Sequence, residues 1–66
     1  MMNIIVNGTR HELEAKTLAG ALEALSYEGA IVATALNGRF IPASARHETA
    51  LEDGDAIEIL APMQGG

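Results

Sequence analysis

The chain has 66 residues, 48% of them hydrophobic and 20% charged, and a formal net charge of −5. A chain this short makes one domain and buries only about 60% of its unfolded surface, which leaves no room for a second core or an enclosed active site. It contains no cysteine, so disulfide staples, thiolate metal sites and a cysteine nucleophile are excluded.

Met2 to Asn7 reads as a strand, with Met2, Ile4 and Val6 on one face and Ile5 on the other. Asn7-Gly8 is a strong hairpin signal, because both central residues of a type I′ turn need positive φ. Arg10 to Glu14, centred on Leu13, is the more polar return strand. Thr17 to Leu25 is the helix. Thr17 is its N-cap, Leu18, Leu22 and Leu25 form one apolar stripe, and Gly20 weakens it by about 1 kcal/mol relative to alanine. Ser26-Tyr27-Glu28-Gly29 ends it, with Gly29 suited to the left-handed closing position.

Ile31 to Leu36 is the third strand, with Val32, Thr34 and Leu36 sharing a face. Asn37-Gly38 is a second hairpin turn, and Arg39 to Ile41 a short return strand stopped by Pro42. Residues 43–50 lack alternation and read as a helical turn or loop. Asp53-Gly54-Asp55 is a third turn, and Ala56 to Ala61 the last strand. Its residues Ile57 and Ile59 face one way, Glu58 and Leu60 the other.

The expected fold is therefore α+β, in the order ββαβββ, with one helix packed across a mixed sheet. With the first and last strands paired at the centre it is a β-grasp, the ubiquitin-like arrangement. Residues 1–61 form the domain and 62–66 a flexible tail. Pro62 has no amide to continue pairing, and five extended residues reach roughly 17 Å. Gly65 and Gly66 carry no side chains, so the chain end can enter a channel too narrow for any other residue.

The charge is unevenly placed. After Arg46 there is no Lys or Arg, whereas Glu48, Glu52, Asp53, Asp55 and Glu58 follow. Such a field disfavours nucleic acid and favours a partner with a basic surface, although solvated charges alone account for it equally well. No run approaches the roughly 18 apolar residues of a membrane span. No basic-then-apolar segment marks a signal peptide, and the expected compartment is the cytoplasm.

The order of elements resembles the ThiS family of sulfur carriers, ubiquitin-like proteins of thiamin (thiazole) biosynthesis. The segments that carry the resemblance are Thr17-Leu18 with Leu22 and Leu25, Leu36 to Pro42, Leu51 to Ile59, and Gly65-Gly66. One departure is Ala43 after Pro42, where many relatives carry a basic residue. The resemblance implies a carrier, not an enzyme. A ThiF-type adenylating enzyme would convert the Gly66 carboxylate to an acyl-adenylate. A cysteine desulfurase system would supply the sulfur of a thiocarboxylate, and the thiazole synthase, ThiG, would accept it. Met63, Gln64, Gly65 and Gly66 would be the tail that partners recognise.

Ile5, Glu58 and Leu60 point away from the inferred core and are the candidate docking residues. If the first and last strands pair, Ile5 and Leu60 add to an exposed apolar patch; the alternative is that residues 43–50 cover that face. His11 and His47 are too few and too far apart for a metal motif, and Asp53-Gly54-Asp55 lacks the other ligand positions of a calcium loop. The glycines form no phosphate loop, and no serine or threonine stands at a telling spacing from a histidine. No resident cofactor is implied. Two rivals stand beside the thiamin carrier: a carrier of the molybdopterin-synthase small-subunit type, and a β-grasp interaction module that ignores its tail.

Overall fold

A computed structural model describes residues 1–27 and 29–61 of the chain. The elements are β1 (Met2–Val6), β2 (Thr9–Leu13), α1 (Leu18–Ala24), β3 (Ala33–Leu36), β4 (Arg39–Ile41), a 3₁₀ helix (Ala43–Glu48) and β5 (Ala56–Leu60). The strands form one sheet in the order β2-β1-β5-β3-β4. β1 and β5 run parallel at its centre, and the other pairs are antiparallel. This is the β-grasp expected from the element order.

Both Asn-Gly dipeptides make two-residue hairpins with positive φ at each position, +49° and +84° at Asn7 and Gly8, +50° and +84° at Asn37 and Gly38. Val6 is thereby set opposite Thr9 and Leu36 opposite Arg39. The period-2 alternation then buries Ile4, Val6, Ile57 and Ile59 on one side of the sheet. Leu18, Ala21 and Leu22 of α1 pack against them, with Leu13, Ile41 and Leu51 closing the margins.

Thr17 caps the helix as its sequence position predicts, its hydroxyl accepting the Gly20 amide at 3.1 Å. The next free amide, that of Leu18, donates to the Thr49 carbonyl at 2.9 Å, so the loop after the 3₁₀ helix completes the cap. The other end closes within the expected stretch from Ser26, and Gly29 has a left-handed φ of +79°, but the residue that closes the helix is Ser26. Ser26 takes the left-handed position at φ +68°, and the amides of Ser26 and Tyr27 return to the carbonyls of Glu23 and Leu22. The helix closes there, before Gly29, because Tyr27 must turn back to pack on the core.

The third strand is two residues shorter than expected. β5 ends at Leu60 opposite Ala33, and β4 ends at Ile41 opposite Thr34, so Ile31 and Val32 have no strand beside them. The Val32 carbonyl instead accepts from Arg46 Nη2 at 2.6 Å. Arg46 Nε also donates to the buried hydroxyl of Thr34 at 3.0 Å, and that hydroxyl donates to the Ile41 carbonyl at 2.9 Å. This network ties the 3₁₀ helix to the α1 side of the sheet. Residues 43–48 therefore do not cover the opposite face.

The centre of the sheet is held by side chains as well as by backbone. The Asn7 carboxamide donates to the Ile59 carbonyl at 3.0 Å and accepts from the Ile59 amide at 2.8 Å. The Asn37 side chain accepts from the Ala56 amide at 2.9 Å and donates to Asp55 at 3.0 Å. Asp53 accepts from the Asn3 amide at 2.7 Å, fastening the turn before β5 to the start of β1. Among the described residues, no buried side-chain nitrogen or oxygen lacks a partner.

Two substitutions test this account. A Cβ added at Gly20 meets only Thr17 Oγ1 at 3.5 Å and Ala15 at 3.6 Å, which is ordinary contact. Gly20→Ala is expected to stabilise the fold by about 0.5–1 kcal/mol, read as a melting temperature several degrees higher. Thr34→Val keeps the shape but removes the hydroxyl bond to the Ile41 carbonyl and leaves Arg46 Nε without its partner, with an expected loss of about 1–3 kcal/mol in denaturant unfolding. An unchanged midpoint for Thr34→Val would show that the network contributes nothing net.

Candidate functional site

The helix and the 3₁₀ segment occupy one face of the sheet, so the other face is where a partner can reach the strands. Its composition follows from register. Residues paired directly across neighbouring strands share a face, so Ala33 lies beside Leu60, and Ala35 lies between Glu58 and Phe40. Ile5 lies between Arg10 and Ala56. Phe40 and Leu60 are each 66% exposed and Ile5 40%, on the face turned away from the core.

The three docking residues expected from the sequence, Ile5, Glu58 and Leu60, are all on this outward face. The parallel register separates two of them. Ile5 stands opposite Ala56, and Leu60 is four residues further along β5, about 13 Å at 3.3 Å per residue. Leu60's apolar neighbours are instead on β3 and β4: Ala33 directly beside it, then Ala35 and Phe40 in the adjacent row. The small alanines of β3 leave a shallow floor between the two larger side chains.

Phe40 belongs to this face although the sequence reading did not single it out. The available signal was alternation within Arg39-Phe40-Ile41: burial of Ile41 requires Phe40 to point the other way. Ile31 differs from its expected place in the third strand, which begins at Ala33. It stands outside the sheet and is 80% exposed. With Val32, Ala33, Leu60 and Ala61 it lines an open apolar groove at the point where the chain leaves the sheet.

Met63, Gln64, Gly65 and Gly66 lie outside the described residues. What is described is the root of that segment, Ile59 to Ala61. Ile59 is buried and clamped by Asn7, whereas Leu60 and Ala61 are exposed beside the groove. Asp53 and Asp55, counted above with the acidic end, have structural duties. Asp53 accepts from Asn3, and Asp55 accepts from the Glu52 amide and from Asn37. Glu58 has an exposed place in the middle of the outward face.

Among the described residues, no three His, Cys, Asp or Glu side chains come together as metal ligands. No helix among them is long and apolar enough to cross a membrane. The chemistry that this surface offers is recognition: an apolar floor, one carboxylate in its midst, and at its edge Ala61, the last described residue.

Known proteins agree with the fold and with the order of these features. The family model described as the ThiS family matches residues 4–66. The sulfur carrier protein ThiS of Thermus thermophilus is 39% identical over 61 residues, covering 92% of this chain and 95% of that protein. The crystal structure of the thiamine biosynthesis protein ThiS from Geobacter metallireducens superposes with a TM-score of 0.81 at 36% identity, covering 98% of this chain and all of that one. The solution structure of a thiamine biosynthesis protein from the same organism gives 0.78 at 33% identity, with 98% and 88% covered. A match that runs from the first strand through the terminal glycines, on the same fold, settles the assignment: this chain belongs to the ThiS family.

Proposed function

We propose that this chain carries sulfur for thiamine biosynthesis on its C-terminal carboxylate. The observation that carries the reading is the extent of the family match, which runs through residue 66 and so includes Gly65 and Gly66. The thiamin branch is favoured over a molybdopterin-type carrier by the relatives reported above, each named for ThiS or for thiamine biosynthesis.

A carboxylate is a poor electrophile, and its activation must come from outside this chain. In the proposed sequence a ThiF-type adenylating enzyme binds the tail, and a Gly66 carboxylate oxygen attacks the α-phosphorus of ATP, releasing pyrophosphate. The terminal sulfur of a persulfide, supplied by a cysteine desulfurase system, then attacks the acyl carbon and AMP leaves. A thiol cleaves the resulting acyl disulfide, leaving the thiocarboxylate that thiazole synthase, ThiG, takes as its sulfur source. This chain supplies three things: a chain end without side chains, a rigid root for it, and an adjoining face for docking. Having no cysteine, it cannot divert the sulfur onto a thiol of its own.

Docking uses the outward face, with Leu60, Glu58 and Phe40 nearest the root and Ile5 at the far side. An apolar side chain that is two-thirds exposed in the free protein gains when a partner covers it, and such anchors dominate interface energies.

Intact-protein mass spectrometry tests the carrier chemistry directly. Incubation with ATP, a ThiF-type enzyme and a sulfur source should replace one carboxyl oxygen by sulfur at Gly66. Gly66→Ala, or one residue added after Gly66, should abolish the change while leaving the melting temperature where it was. Failure of the native chain to gain AMP or sulfur, with the enzymes competent on another carrier, would leave the interaction module as the better reading. For docking, Leu60→Asp should raise the Kd for the adenylating enzyme by about tenfold or more, because it removes an apolar anchor and buries a charge. An unchanged Kd would move the interface off this face.

A further inference from the structure

The two Asn-Gly turns clamp β5 at opposite ends, and the clamp nearer the tail completes a strand that would otherwise be open. β1 ends at Val6, and its last backbone bond to β5 runs from the Asn7 amide to the Ile57 carbonyl at 2.9 Å. Strand alternation next turns the amide and carbonyl of Ile59 to that same side, where β1 has run out. Ile59 is buried, so both groups need a protein partner. The Asn7 carboxamide serves both, donating through Nδ2 and accepting through Oδ1. A primary amide offers one donor and one acceptor side by side, as a peptide unit does, whereas an ionised aspartate offers acceptors only.

We infer that Asn7 is a positioning residue for the C-terminal tail, its carboxamide fixing Ile59 as the rigid root from which the Gly66 carboxylate is delivered to the adenylating enzyme. The inference rests on the carrier reading. An enzyme that draws the tail into a narrow channel loads the chain at its root. With the Asn7 clamp made, Ile59 is held from the β1 side as well as by β3, and the carboxylate is presented from a fixed origin. Without it, the end of β5 is held from one side only and the same docked complex places its chain end less often at the reacting phosphorus.

Asn37 supplies the matched control, because it clamps Ala56 at the other end of β5 with the same side chain and nearly the same backbone geometry. Asn7→Gly and Asn37→Gly each remove a carboxamide at a positive φ that glycine adopts freely. Asn7→Asp and Asn37→Asp keep the size and remove the donor. All four are placed in the Gly20→Ala background, whose added stability lies in the helix, and are assayed where circular dichroism shows each to be folded. Pyrophosphate release from ATP with a ThiF-type enzyme gives kcat and KM for the carrier.

Both Asn7 variants should lose about tenfold or more in kcat with KM within about twofold, since docking through the outward face survives and only the placement of the chain end is lost. Both Asn37 variants should keep kcat within about twofold. Amide hydrogen exchange at Ile59 should accelerate in the Asn7 pair and not in the Asn37 pair. Equal kcat losses in the two pairs, or a change confined to KM, would overturn the positioning role. A parent protein that is not adenylated at all sinks the carrier reading and this role with it. Rapid Ile59 exchange in the parent would show separately that the clamp itself does not hold.

Discussion

Everything in this fold depends on keeping β5 between β1 and β3. The parallel contact with β1 is short, its register covering only Ile5 with Ala56 and Val6 with Ile57. Asparagine side chains fasten β5 on both sides, Asn7 from the end of β1 and Asn37 from the β3–β4 turn. Asn37 takes the Ala56 amide at the start of β5, and Asn7 takes both backbone groups of Ile59 near its end. Each asparagine also occupies a left-handed turn position, so one residue both reverses a hairpin and fastens the strand that joins the two hairpins into one sheet. Held there, β5 brings Ile57 and Ile59 into the same buried cluster as Leu18 and Leu22 of the helix.

The two faces of the sheet divide the labour. The inner face carries the stabilising burial, and a small domain has little apolar surface to spare from it. The outer face nevertheless leaves Phe40 and Leu60 two-thirds exposed above the alanines of β3. Larger side chains at Ala33 and Ala35 would enrich the face in apolar area and make it self-adhesive. Alanine there keeps the surface flat between the two exposed side chains. If Gly66 carries the sulfur as proposed, such a face serves the protein better than a pocket, because the reacting group is then the chain end itself.

Most of the fold was legible in the sequence because its signals are local. Asn7-Gly8 and Asn37-Gly38 specify their hairpins within four residues, Thr17 specifies its cap, and the alternation in Ala56 to Leu60 specifies which residues are buried. What escaped depends on neighbours distant in the chain. Ile31 and Val32 look like strand residues, and they fall outside the sheet only because β5 and β4 stop short of them. Gly29 looks like the helix terminator, but Ser26 takes that role because Tyr27 is drawn back to the core. The covering of the sheet by residues 43–50 turned on Arg46, whose bonds to Thr34 and Val32 fix the segment on the helix side. Of the docking residues, the outward direction of Ile5, Glu58 and Leu60 was readable from alternation. Their spacing was not, since it needs the parallel register. The second duty of Asn7 and Asn37 leaves no mark in the sequence beyond the choice of asparagine over aspartate or glycine.

The central position of β5 also orders events during folding. Asn7 and Ile59 are 52 residues apart in the chain, and closing a loop of that length costs roughly 3–4 kcal/mol of chain entropy before any contact repays it. The β1–β2 and β3–β4 hairpins can each form early from local contacts, yet neither can shelter the helix alone, and both wait for residues 56–60 to slot between them. A nascent chain halted before Ala56 has two hairpins with nothing to join them, and remains open to proteolysis. The sheet is complete only once residues 56–60, almost the last part of the domain to be synthesised, have taken their place between the hairpins.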